Sequence, residues 1–263
     1  MTTTQKDILH TSTMPVIALR GLTIFPNVLI HFDVARDISI KSLETAMTTG
    51  SPVFLVAQKD ISVEVPDQCD LYVVGTISNV RQILRMPGDN VRVMVEGQAR
   101  GKLLRLLRTE PYLEGEILEL PEEERTGTSA RTEALMRSTY ELFQRYTELA
   151  PKVSPDLLIH VLASQDPGYI SDYIAQNIPM RNSDKQTILE ERRPLRRLEK
   201  LHRLLDREVE ILALDNEIQS KAREQMSDQQ RDYYLREQMK AIQTELGDED
   251  SAKEIDALRA KAD

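Results

Sequence analysis

Between Met14 and about Leu120 the chain alternates short β-branched and apolar runs with turn residues, whereas beyond Ser129 its apolar positions recur at helical spacing. The first pattern predicts strands over Val16–Leu19, Val28–Phe32, Val53–Gln58, Leu71–Leu84, Val91–Glu96, Lys102–Leu107 and Tyr112–Leu120. Met86-Pro87-Gly88-Asp89-Asn90 supplies the backbone freedom and Asx hydrogen bonding of a tight loop, so Leu71–Glu96 is expected to form a hairpin. One helix is expected at about Ile40–Thr48, with Leu43, Ala46 and Met47 on one face and Gly50 placed to end it.

Pro121–Ser129 is polar, charged and small, a composition that buries no core and reads as a linker. After it, Leu135, Tyr140, Leu142, Phe143 and Tyr146 offer the apolar side of a helix. Ser154-Pro155 forms a cap and first-turn pair for a second helix carrying Leu157, Leu158, Val161 and Leu162, which Asp166-Pro167-Gly168 breaks. A third helix is expected over Tyr169–Asn177, and Ser183-Asp184-Lys185-Gln186 reads as a capping box opening a fourth that Pro194 ends or kinks.

From Leu195 to Leu246 there is neither proline nor glycine, and apolar residues recur at Leu198, Leu201, Leu205, Val209 and Leu212, then at Leu235, Met239, Ile242 and Leu246. This predicts one helix of roughly 52 residues, nearly 80 Å long at about 1.5 Å per residue, part of which must leave the globule. Val209–Leu214, apolar on every side, is the expected packed segment, and polar Gln219–Asp232 the exposed one. The fold class is therefore α+β. A leader (1–13) precedes a β-rich lobe (14–120), a linker (121–130), a helical bundle (131–194), the long helix (195–246), and a final helical segment (247–263) that looks cut rather than finished.

Composition narrows the function classes. No apolar run approaches the roughly 20 residues of a membrane span, and Met1–Thr13 lacks a signal-peptide core. The single Cys69 excludes an internal disulfide, fits a reducing compartment, and reads as a small buried apolar residue. A net charge of −9 argues against a dedicated nucleic-acid binder. The basic run Arg192, Arg193, Arg196, Arg197, Lys200 and Arg203 is interleaved with Glu190, Glu191, Glu199, Asp206 and Glu208, as on a solvated, salt-bridged helix face. His10, His31, His160 and His202 lack metal-ligand spacing, so no metal is expected. Gly97-Gln98-Ala99-Arg100-Gly101-Lys102-Leu103 is one residue short of a phosphate loop, with Leu103 where a hydroxyl belongs, and reads as a β turn. No catalytic or cofactor-binding constellation is visible.

Three stretches carry a family resemblance. Pro15–Pro26 resembles the opening of bacterial Lon-type ATP-dependent proteases, P-V-x-P-L-R-x-x-x-x-F-P, with Ala18 in place of the usual proline. Met86–Gly97 is similar to that family's L-P-D-G-x-x-x-V-L-V-E-G turn and strand, with the turn residues reordered. Gln230–Gly247 resembles the Q-R-E-Y-Y-L-R-E-Q-x-K-A-I-Q-x-E-L-G stretch on the family's long helix. The resemblance implies a PUA-like β lobe, then a helical bundle and long helix. It further implies a parent cytoplasmic serine endopeptidase that uses ATP and Mg, assembles as a hexamer and acts on misfolded or tagged proteins. The chain stops before the family's nucleotide motifs and Ser-Lys dyad, so no catalytic or cofactor residue carries over and the chain itself is expected to be non-catalytic.

The leading expectation is a substrate-recognition and assembly module whose partners are unfolded or damaged proteins and its own subunits. Leu84 and Met86 are the first candidate contacts, with Phe25, Pro26, Val28 and Met94, because methionine and other apolar residues near turns suit promiscuous contacts. Core filling is the competing explanation for each. An assembly or spacer element, a nucleic-acid-binding PUA-like module and an unrecognised enzyme remain the alternatives.

Overall fold

The computed structural model describes residues 10–87, 90–123, 130–150 and 156–247, and it leaves undescribed the side chains of 226–230, 232 and 243–247. The leader residues 1–9, the turn residues Gly88 and Asp89, the Ser154-Pro155 cap and the segment 248–263 lie outside the described residues.

Six strands, β1 (Thr11–Leu19), β2 (Leu29–Val34), β3 (Val53–Ala57), β4 (Val74–Arg85), β5 (Val91–Arg108) and β6 (Glu114–Leu120), form one sheet in the order β2-β5-β4-β3-β1-β6. β6 also pairs with the second half of β5, so five strands close on themselves and β2 is added along the first half of β5. Closure removes free edges from the five-stranded ring. β1 and β3 run parallel and every other pairing is antiparallel. β1 begins at Thr11, whose partner is Leu118, so Thr11–Thr13 belong to the strand and not to the leader.

Alternate residues of β1 and β3 feed two cores. Met14, Val16, Ala18, Phe54 and Val56 join Ile77, Leu103 and Ile117 in one cluster, and Ile17, Leu19, Val53 and Leu55 join Leu43, Val93 and Val95 in the other. Burial on both faces explains why these strands read as unbroken apolar runs. The helix α1 (Asp37–Thr49) presents Leu43 and Ala46 to the second core and ends at Gly50, whose φ of 64° is the left-handed conformation that glycine adopts without strain.

Two expected strands, Val91–Glu96 and Lys102–Leu107, are one strand of 18 residues, so the predicted β turn at Gly97–Leu103 is overturned. Neither Gly97 nor Gly101 has a positive φ. A Cβ on Gly97 would overlap the Phe25 carbonyl oxygen, and one on Gly101 would lie 2.8 Å from Ile117 and Phe54 side-chain atoms. The glycines serve close approach across the barrel, with bulges between Ile77 and Ser78 and between Leu103 and Arg105 bending the strands.

The helices are α2 (Ala130–Leu149), α3 (Asp156–Leu162), α4 (Pro167–Asn177), α5 (Asn182–Leu189) and α6 (Pro194–Gly247). The α+β class, with strands first and helices after, agrees with the expectation. Three boundaries differ. Asp166 caps α4 by accepting from the Gly168 N–H at 2.9 Å, so Asp166-Pro167-Gly168 starts a helix as well as ending one. No capping box forms at Ser183, because the cap position falls two residues earlier, on Arg181. Pro194 opens α6 instead of closing α5: at the first helical position its missing N–H costs nothing. The buried seam of α2 is Thr132, Met136, Thr139, Phe143 and Tyr146, while Leu135, Tyr140 and Leu142 are half-buried beside it.

The chain divides into two compact units, Met1–Val209 and Glu210–Asp263. In the first unit α6 buries Leu198, Leu201, Leu205 and Val209 at helical spacing. In the second, Ile211 and Leu214 are exposed and Leu212 and Ala213 half-buried, so of the expected packed segment only Val209 is fully buried; the described side chains within 219–231 are exposed, as expected.

Candidate functional site

The hairpin β4–β5 places the candidate residues. Val80 pairs with Val95 and Gln82 with Met94, which leaves Arg81 as an extra residue. Side chains alternate with a period of two, so one inserted residue changes which ones face outward. Val80 and Ile83 therefore pack on the core, and Gln82 and Leu84 face solvent. In β2, Ile30, Phe32 and Val34 turn inward and Leu29, His31 and Asp33 outward. Met94, opposite both His31 and Gln82, is the centre of this outer face.

His31, Gln82, Leu84, Arg92 and Met94 line a shallow cavity of about 220 Å³. That is smaller than the roughly 300–1,000 Å³ of small-molecule sites and suits a single side chain. Leu84 is 47% exposed and Met86, at the hairpin end, 39%. The Met86 N–H donates to the Asn90 carbonyl at 2.9 Å and closes the turn. Two ion pairs frame the apolar centre. Arg92 clasps Asp33 through Nε and one terminal nitrogen at 2.7 and 2.9 Å, and Arg81 pairs with Glu96. The Arg92 hydrogen bond holds the Asp33 carboxyl below its ordinary value.

Phe25 and Pro26 are buried, which removes them from the candidate surface; Val28 is half-buried. The reason is local. The Asn27 N–H donates to the Gly97 carbonyl and the Gly97 N–H donates to the Val28 carbonyl, both at 3.0 Å, while the Phe25 N–H donates to Gln176 Oε1 at 3.1 Å. This loop is thus sealed between β5 and α4.

Sequence reasoning missed a buried charge cluster at that junction. Arg100 donates to Asp172 Oδ1 at 2.7 Å and to the Leu189 carbonyl at 2.8 Å, and Arg197 Nε faces the same Asp172 oxygen at 3.2 Å without hydrogen-bond alignment. Glu122 also pairs with Arg197. Burial pushes the Asp172 carboxyl up, against the pull of Arg100 and Arg197. Arg197 is fully buried, so the solvated helix face expected of the basic run fails for it, although Arg192, Arg193 and Lys200 do pair with Glu123 or Glu191. Cys69 is exposed, contrary to the expected core position, because it lies in a short 3-10 turn over Gln68–Asp70 that buries no residue. Among the described residues no group of three His, Cys, Asp or Glu side chains is placed to hold a metal ion, and no helix is long and apolar enough to cross a membrane.

The family described as the ATP-dependent protease La (LON) substrate-binding domain matches residues 13–207. This chain belongs to the Lon substrate-binding domain family. Its similarity continues beyond the matched residues. The Lon protease of Brevibacillus choshinensis is 41% identical over 249 residues, covering 94% of this chain and 32% of the relative. That of Clostridioides difficile (strain 630) is 40% identical over 252 residues, again 94% and 32%. The chain thus spans about a third of the length of these Lon relatives. The fold is shared with the N-terminal domain of the Mycobacterium avium complex Lon protease, with a TM-score of 0.60 at 18% identity, covering 74% of this chain and 98% of that one. It is also shared with the Lon N-terminal domain protein from Xanthomonas campestris, at a TM-score of 0.53 and 15% identity.

Proposed function

We propose that this Lon substrate-binding domain captures unfolded polypeptide segments on the outer face of β2, β5 and β4. Leu84, Met86 and Met94 supply the apolar contacts and Val28 lies at the margin. The parent protein in this reading is a cytoplasmic, hexameric serine endopeptidase driven by ATP with Mg, for which the chain delivers misfolded or tagged clients. The observation that carries the reading is the exposure of Leu84 and Met86 beside a side-chain-sized cavity, on a surface framed by ion pairs. Such a patch gains by covering apolar area while its charged rim keeps the free domain soluble. β2 pairs only with β5 among the described strands, and in this reading an extended client segment adds along its other side. Binding of a labelled, permanently unfolded protein and of its folded counterpart tests it. Preference for the unfolded form, lost in a Leu84→Ser/Met86→Ser variant that remains folded, is the expected result.

A second reading, an assembly or spacing element, is favoured by the second compact unit. There Ile211, Leu214 and Ile218, and again Leu235, Met239 and Ile242, are exposed at helical spacing. Strong self-association in light scattering without any client binding supports that reading over the first.

A further inference from the structure

A site of different chemistry lies between β1 and α1. Two cavities, of about 290 and 120 Å³, share Ala18, Arg36 and Ser39. Arg36 is the N-cap residue of α1, with extended backbone and no side-chain cap, so the first-turn N–H groups lack a capping acceptor. Its guanidinium donates to the Ala18 carbonyl and, at 3.3 Å, to that of Glu64. Arg20, which lines the larger cavity, donates to the Val63 carbonyl at 3.0 Å. Neither guanidinium has a carboxylate at ion-pair distance among the described residues. Burial and then the Arg20 charge hold the Arg36 guanidinium below its ordinary value. Ser39, only 4% exposed, borders both cavities and its hydroxyl has no hydrogen-bond partner among the described residues.

The surrounding acids do not neutralise this group of donors. Asp33 lines the larger cavity but is clasped by Arg92. Asp67 lines the smaller one and accepts from the 3-10 turn that it caps. Asp37, the acidic residue in the first turn of α1, is exposed and lines neither. Glu64 borders the smaller cavity, next in the chain to the Val63 carbonyl that Arg20 holds, and its exposed carboxylate makes no ion pair with either guanidinium. Two guanidiniums and an unpartnered hydroxyl thus converge on a cleft whose walls include Leu22, Phe32 and Val34.

We propose that this cleft binds the terminal α-carboxylate of a polypeptide chain whose last residue is apolar. The planar guanidinium fork matches a carboxylate, and the apolar walls receive the last side chain. This goes beyond client capture at the hairpin face and does not depend on it.

The test uses the 263-residue chain and two fluorescein-labelled peptides identical in sequence, both ending in leucine, one with a free carboxylate and one amidated. Anisotropy is expected to show the acid binding at least about tenfold more tightly, as a charge-assisted contact warrants. Arg20→Gln is expected to abolish the difference and Ser39→Ala to reduce it, with thermal melts unchanged, while the Leu84→Ser/Met86→Ser variant retains it. Arg36 is left intact because its half-buried guanidinium holds both the Ala18 and the Glu64 carbonyl, whereas exposed Arg20 holds only that of Val63. Equal binding of acid and amide, no binding of either, or a difference that survives Arg20→Gln overturns the proposal. Displacement of the acid peptide by equimolar inorganic phosphate overturns the carboxylate assignment in favour of a phosphate site.

Discussion

Replacing Asp172 by asparagine tests how the barrel is fastened to the helices. The carboxylate joins Arg100 of β5 to Arg197 of α6 from its place on α4, and all three side chains are buried. Asparagine keeps the shape and an acceptor oxygen but removes the charge, leaving two buried guanidiniums with only the half-exposed Glu122 between them. Removing one partner of a buried ion pair costs about 3–5 kcal/mol. With Glu122 retained, the lower end, about 3 kcal/mol, applies. For a unit of this size each kcal/mol moves the melting temperature by roughly 2–4 °C, so thermal unfolding by circular dichroism should show a fall of about 6–12 °C. The triple replacement Arg100→Met/Asp172→Leu/Arg197→Met should recover most of that loss, because well-packed apolar groups replace buried charges without penalty. An Asp172→Asn protein that melts within about 1 °C of the parent would refute the reasoning.

Gly97→Ala is expected to destabilise by up to about 3 kcal/mol, measured by urea denaturation, since its Cβ would meet backbone atoms of Phe25 and Pro26. Lys185 donates to the Gln176 carbonyl at 3.2 Å, and burial lowers its ammonium from 10.5 to about 8. Between those values the unfolded chain binds more protons than the folded one, so stability rises as pH is raised from about 8 towards 10, by at most about 3 kcal/mol. Lys185→Met, compared with the parent in denaturant melts across that window, should lack the rise. Truncating Leu84 and Met86 to serine removes roughly 1 kcal/mol each of apolar contact with a client, about thirtyfold in affinity together.

Local chemistry made several elements legible before the structure. A Pro-Gly-Asp-Asn loop has few alternatives to a hairpin, Gly50 falls where a helix needs a left-handed residue, and a stretch without proline or glycine from Leu195 onward could only be a long helix. Several misreadings share one cause: the residue type serves two structural purposes and the surrounding fold makes the choice. Gly97 and Gly101 fit a turn or a close crossing, and only the positions of Phe25 and Ile117 decide it. Pro194 stops one helix or starts the next, depending on where α5 has already ended. Arg197 belongs to a charge run in sequence but meets its partners from α4 and the segment after β6 only in the folded chain. Surface exposure was legible at Met86, which the loop sequence places at the hairpin end, but not at Leu84, which the bulge at Arg81 turns outward. It was not legible at Phe25 and Pro26, whose burial depends on Gln176, about 150 residues away.

The most direct measurement is the affinity of the purified chain for a labelled unfolded protein, in parallel with its folded counterpart and with the Leu84→Ser/Met86→Ser variant. The account predicts preference for the unfolded form by the parent chain and a loss of roughly thirtyfold in the folded variant. Equal affinity of parent and variant for the unfolded protein would contradict it.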